Sequence, residues 1–132
     1  MNNLVMNNDE NYAFDVAGYL HIPGVLKSEE VARLNQALDE IEKSEGMLGW
    51  PAPQREPFRN LLVHLKLVWY LNQIVGHGFR LDQAPRLLGY QKGEVGNKLV
   101  GGDEPRNPSL AYYQQNGRRS SQGIKVIWAL ED

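Results

Sequence analysis

The chain predicts an α+β fold, helices first and strands after, and three observations carry that prediction. Apolar residues recur at helical spacing through the first half. The second half breaks into short β-like pieces separated by Gly, Pro and Asn-Gly signals. A hydrophobic share of 42% over 132 residues suffices for one core and excludes wholesale disorder. The expected layout is a single domain, 1–132, with a loose lead-in over 1–15, a mainly helical part over 16–78 and a β-rich part over 79–132.

The first fifteen residues are polar and acidic, without the basic start and apolar stretch of a secretory signal. Residues 18–26 read as a short extended piece, and Pro23-Gly24 is a turn signal that confines it to a sheet edge. Ser28 has the type of an N-cap, and Glu29 and Glu30 place negative charge where the helix dipole favours it. From there Val31, Leu34, Leu38 and Ile41 form an apolar stripe, and Gly46 stops the helix. The acidic residues Asp39, Glu40, Glu42 and Glu45 are expected to face water.

Gly49, Pro51, Pro53 and Pro57 then predict an irregular crossing anchored by Trp50. A second helix is expected over residues 60–75. Its apolar residues, from Leu61 to Val75, cover a face wide enough for two-sided packing, and Gly76 and Gly78 close it. Residues 87–90, 97–100, 110–114 and 124–130 follow as strands. In the last of these, Ile124, Val126, Trp128 and Leu130 share one face, and the strand needs a neighbour on each edge.

Composition narrows the function classes. Fourteen Lys and Arg balance sixteen Asp and Glu, and the only adjacent cationic pair is Arg118-Arg119, so no basic face for nucleic acid is expected. The most apolar stretch, 61–75, is too short and too polar to span a bilayer. No membrane partner is expected, and the chain reads as cytoplasmic. With no cysteine there is no disulfide, thiolate metal site or Cys nucleophile.

The three histidines, His21, His64 and His77, form neither a His-x-Asp nor a His-x-x-x-His pair, and structural or solvated roles are expected for each. The glycines between 89 and 102 accompany no phosphate-loop arrangement, and Asn116-Gly117 reads as a tight turn. Ser120 and Ser121 lie in no nucleophile elbow and are expected in a solvated loop. Tyr112, Tyr113 and Trp128 suit either a core or a cavity lining, with core favoured.

The order of these pieces carries a resemblance. Residues 14–34 (FDVAGYLHIPGVLKSEEVARL) resemble the opening strand, turn and helix of phytanoyl-CoA dioxygenase-like proteins. Residues 97–106 (NKLVGGDEPR), 112–118 (YYQQNGR) and 126–132 (VIWALED) resemble the middle of the same domain. The resemblance implies a partial double-stranded β-helix, a jelly-roll or cupin-like sheet. It also implies kinship with Fe(II)/2-oxoglutarate-dependent hydroxylases, in which a His-x-Asp pair and a distal His leave iron open to the oxo-acid and dioxygen.

This sequence departs from that ligand set. Val100 stands where the resemblance puts the first ligand, and Gly102 stands in place of the carboxylate. Asp103, displaced by one residue, is the one candidate metal ligand, and it requires a bulge at the glycines to turn it to the correct face. In the family the distal His and the oxo-acid Arg follow the segment matched by residues 126–132. The resemblance therefore implies a truncated or degenerate relative, with iron and 2-oxoglutarate as the family's cofactors but catalytically silent alone. The alternative is a non-catalytic interaction module that forms a homodimer through the sheet edge at 124–130.

Overall fold

The computed structural model describes residues 6–89, 93 and 111–131. The order of elements is α1 (Asn8–Ala17), α2 (Ser28–Ile41), a 3₁₀ turn (Met47–Gly49), α3 (Ala52–Leu62), α4 (Leu65–Ile74), β1 (Tyr112–Gln115) and β2 (Arg118–Ser121). Helices thus precede strands and the chain is of mixed α and β type. The described sheet is a single antiparallel pair.

Two compact units divide the chain. Among the described residues, the first comprises 6–23, 65–79 and 111–127, and the second 24–64, 80–89, 93 and 128–131.

In the first unit, residues 8–15 of the expected loose lead-in belong instead to α1. The helix starts there because Asn7 and Glu10 form a capping box: the Asn7 carboxamide accepts from the Glu10 N–H at 2.8 Å, and the Glu10 carboxylate accepts from the Asn7 N–H at 2.9 Å. Gly18, at φ 75°, ends it and donates to the Phe14 carbonyl. The piece after Gly18 is not a strand, although the turn at Pro23-Gly24 is present, with Gly24 at φ 64°. Met6, Phe14 and Ile74 are buried together, with Leu20, Tyr70, Val75 and Tyr112 packed around them.

The hairpin β1–β2 follows from its turn. Asn116 at φ 53° and Gly117 at φ 72° give the two consecutive left-handed residues of a type I′ turn, whose twist matches that of paired strands. Tyr112 pairs with Ser121 and Gln115 with Arg118. Ser120 and Ser121, expected in a solvated loop, therefore belong to β2, and Ser121 is buried.

In the second unit α2 begins at Ser28, but Lys27 is the N-cap. The Glu30 carboxylate accepts its N–H at 2.8 Å, so the capping comes from within the helix and not from the Ser28 hydroxyl. The helix ends at Glu42, in the left-handed region, before Gly46 is reached. The crossing expected after it is mostly helical. Pro51 is the N-cap of α3 and Pro53 lies in the first turn, where a missing N–H breaks no intrahelical bond. Trp50 is buried as expected, meeting Phe58 edge to face at 5.4 Å within a core that also holds Leu34, Ala37 and Met47.

The single helix expected over 60–75 is two. Val63 leaves helical geometry at φ −113°, and α4 starts at Leu65. The wide apolar face belongs to two helices serving separate cores: Phe58 of α3 is buried in the second unit, and Leu71 and Ile74 of α4 in the first.

The strand expected over 124–130 is absent. A strand needs a partner ladder, and no described strand pairs with this segment. Its ends also belong to different units, residues up to 127 to the first and those from 128 to the second. Leu130 packs on the second core, where its carbonyl accepts from the Asn35 carboxamide at 3.1 Å. Residues 87–89 likewise form no strand; the one bridge nearby joins Arg86 to Glu45. The strand expected at 97–100 lies outside the described residues.

Candidate functional site

The residues on which iron chemistry would depend, Val100, Gly102 and Asp103, lie outside the described residues. Their chemistry is read from identity alone: an aliphatic side chain and a glycine offer no lone pair to a metal. The donor set does not fit the iron site that the resemblance implies. Among the described residues no three His, Asp or Glu side chains gather into a group able to hold a metal. His21 and His77 are exposed. His64 sits at the break between α3 and α4, with its ring 5.7 Å from that of Trp128 and its Nδ1 buried without a hydrogen-bond partner.

The densest polar cluster lies in the first unit, where α1 meets the hairpin. Arg119 of β2 and Asp15 of α1 form an ion pair at 3.1 Å, with side chains only 11% and 16% exposed. Arg119 Nε lies 3.2 Å from Asp15 Oδ1 and 3.0 Å from the Tyr112 hydroxyl. Its other nitrogens donate to Asn11 Oδ1 at 2.9 Å and meet Met6 Sδ at 3.6 Å. The guanidinium also stands 5.2 Å from the centre of the Phe14 ring. The Tyr112 hydroxyl donates to Asp15.

Burial first, and then that bond to Asp15, push the Tyr112 phenol upward, outweighing the opposing influence of Arg119. A phenol so held stays protonated, and the guanidinium is engaged at all three of its nitrogens. The cluster is a tether and not a reactive site. A parallel tie joins α4 to α1. The Tyr70 hydroxyl donates to Glu10 at 2.8 Å, and burial followed by this bond pushes the phenol up to about 12. Of the two tyrosines read as core or cavity lining, Tyr112 packs on Phe14 while Tyr113 is exposed.

Two clefts open in the second unit. One, of about 390 Å³, is lined by Ser44, Glu45 and residues 86–89. The other, of about 240 Å³, is lined by Leu48, Arg55, Arg59 and Leu62. Arg55 and Arg59 are one helical turn apart on α3 and share the single carboxylate of Glu56, at 3.7 and 3.3 Å. Arg55 Nε is buried and has no hydrogen-bond partner, a condition that costs roughly 1–3 kcal/mol when nothing answers it.

Sequence reasoning passed over both arginines because three prolines concealed the helix that aligns them. Their i, i+4 spacing was the available signal. Asp15 and Arg119 are 104 residues apart, and no local pattern links them. No family model, curated protein or solved structure matches the chain.

Proposed function

We propose that this chain is a non-catalytic relative of the phytanoyl-CoA dioxygenase-like proteins, one that does not carry out iron and 2-oxoglutarate chemistry by itself. The observation that carries this reading is the pair Val100 and Gly102 within the family-like stretch at 97–106. Losing two donors of three leaves iron with too few ligands for retention. The turn at Pro23-Gly24 leading into α2 supports the kinship, since the resemblance implies both; the strand that it implies before them is missing.

Titration of the protein with Fe(II) and 2-oxoglutarate under argon, followed calorimetrically, tests the proposal. No saturable heat is expected. Stoichiometric iron binding in the micromolar range, abolished by Asp103→Ala, overturns it.

A second reading, a module that dimerises with another copy, draws on a different observation. Ile124, Val126 and Ile127 are 38%, 40% and 63% exposed, and among the described residues β1 and β2 pair only with each other, so one edge of each has no partner among them. On this reading light scattering gives a mass that rises from one copy to two with concentration, and Ile127→Lys holds it at one. A mass of one copy at every concentration rejects it. Among the described residues no helix is long and apolar enough to cross a membrane.

A further inference from the structure

We propose that Asn116 is a self-modification site, at which the side-chain amide converts without an enzyme to aspartate and isoaspartate, at a rate that the β1–β2 hairpin controls. This inference is independent of the iron question, since it uses none of the residues on which that reading rests. Asn116-Gly117 is the one Asn-Gly pair in the chain. Glycine has no Cβ, so no side chain shields its backbone nitrogen from the carboxamide before it. Both residues are exposed, and water reaches them.

The chemistry balances with water as co-reactant and hydroxide as base. The Gly117 backbone nitrogen gives up its proton and attacks Asn116 Cγ. A bond forms between them, the Cγ–Nδ2 bond breaks, and ammonia leaves. Water then opens the five-membered imide at either of its carbonyls. Opening at Cγ leaves an aspartate on a normal backbone. Opening at the backbone carbonyl leaves the chain running through Cγ, an isoaspartate with one extra carbon in the main chain. Nothing is oxidised or reduced.

The folded hairpin opposes the first step. Asn116 at φ 53° and Gly117 at φ 72° hold a type I′ turn. That turn gives its first central residue a ψ of about +30°, the mirror of type I, which carries the Gly117 nitrogen to the side of the Cα–C bond away from Cβ. Ring closure needs the two on the same side, so the pair reacts when the turn opens. The pairing of Gln115 with Arg118 and of Tyr112 with Ser121 resists that opening, as do the bonds from Asp15 to Tyr112 and Arg119.

The two products differ in consequence. Aspartate suits the same turn, because Asp-Gly is among the favoured type I′ pairs. Isoaspartate lengthens a two-residue connection whose length fixes the strand register, and so loosens the hairpin that carries Arg119 to α1.

Incubation of the full chain at pH 8, sampled over days, tests the proposal. The tryptic fragment 107–118 holds one other asparagine, Asn107, and the proline after it has no N–H with which to attack. Conversion is read from the mass of this fragment and from methyl transfer by an isoaspartyl methyltransferase, which labels the isoaspartate alone. The rate in urea should exceed that in buffer at least about tenfold, since only the opened turn reacts. Tyr112→Phe keeps the ring on Phe14 but loses the hydroxyl bonds to Asp15 and Arg119, and in buffer it should convert several-fold faster than the wild type. Asn116→Gly keeps a residue suited to positive φ and should give no isoaspartate. Incubated wild type should melt lower than fresh protein, and incubated Asn116→Gly should not. No conversion in urea, equal rates in buffer and urea, an unchanged rate in Tyr112→Phe, or undiminished methyl transfer to Asn116→Gly overturns the proposal.

Discussion

Arg119 illustrates how much one side chain can organise when water is kept from it. Its guanidinium joins Asp15, Asn11 and Tyr112 and covers the Phe14 ring, so one residue of β2 fixes the side of α1 that faces the hairpin. Replacing it with Ala leaves the nearly buried Asp15 carboxylate without its counter-charge, held among the described residues only by the Tyr112 hydroxyl, and we expect a loss of about 3 kcal/mol in urea unfolding. Arg119→Lys should recover little of this, because an ammonium cannot reach Asp15, Asn11 and the phenol together.

Tyr70 gives a second expectation, in pH. Its phenol titrates near 10 in the unfolded chain and at about 12 when folded, so the unfolded state releases the proton first. The stabilisation from this tie is complete below pH 10 and disappears as pH rises through 12. Equilibrium unfolding of the wild type and Tyr70→Phe from pH 8 to 12 should show a stability gap that is constant up to pH 10 and closes above it.

Among the elements, α3 shows a conflict between local preference and tertiary demand. Pro57 lies inside the helix, where it removes the bond to the carbonyl of Pro53 and crowds that turn. The helix persists because Phe58 meets Trp50 in the core and because the Gln54 carboxamide donates to Glu40 of α2 at 2.6 Å. That bond, with a second from Gln36, also lowers the Glu40 carboxyl below its ordinary range. Pro57→Ala should restore the missing bond and stabilise the protein by on the order of 1–3 kcal/mol, read from the midpoint of thermal or urea unfolding.

The same conflict explains what the sequence discloses and what it conceals. The α2 stripe and the Asn-Gly turn are legible because each is decided within a few residues. The proline-rich segment reads as a loop because the interactions that hold it helical come from α2 and the 3₁₀ turn, far from its own sequence signals. The α1 capping box, Asn7 with Glu10, was legible in principle; the polar composition around it hid the signal. Segment 124–130 alternates like a strand, but alternation reports only that two faces differ and names no pairing partner.

At the scale of the whole molecule, the path of the chain differs between its two cores. The five buried residues of the second core, Leu34, Ala37, Met47, Trp50 and Phe58, all fall within residues 24–64, and among the described residues only Leu130 joins them from afar. The first core draws Met6 and Phe14 from one end, Ile74 and Tyr70 from the middle and Tyr112 from beyond residue 110. Closing the loops that unite three distant segments costs more chain entropy than folding one contiguous stretch. The cleft lined by residues 48–62 belongs to the locally encoded core, and the Arg119 cluster to the one that needs the whole chain.

A peptide of residues 1–64 should therefore keep α2 and α3 while losing α1, whose partners Tyr70, Ile74, Tyr112 and Arg119 are all removed. Amide hydrogen exchange should show protection confined to residues 28–62, and circular dichroism a helical signal consistent with two helices. Residues 65–132 alone should show no cooperative thermal transition. Protection of α1 in the 1–64 peptide would mean that the capping box and local propensity suffice for that helix, and that the tether from Arg119 secures an element already formed.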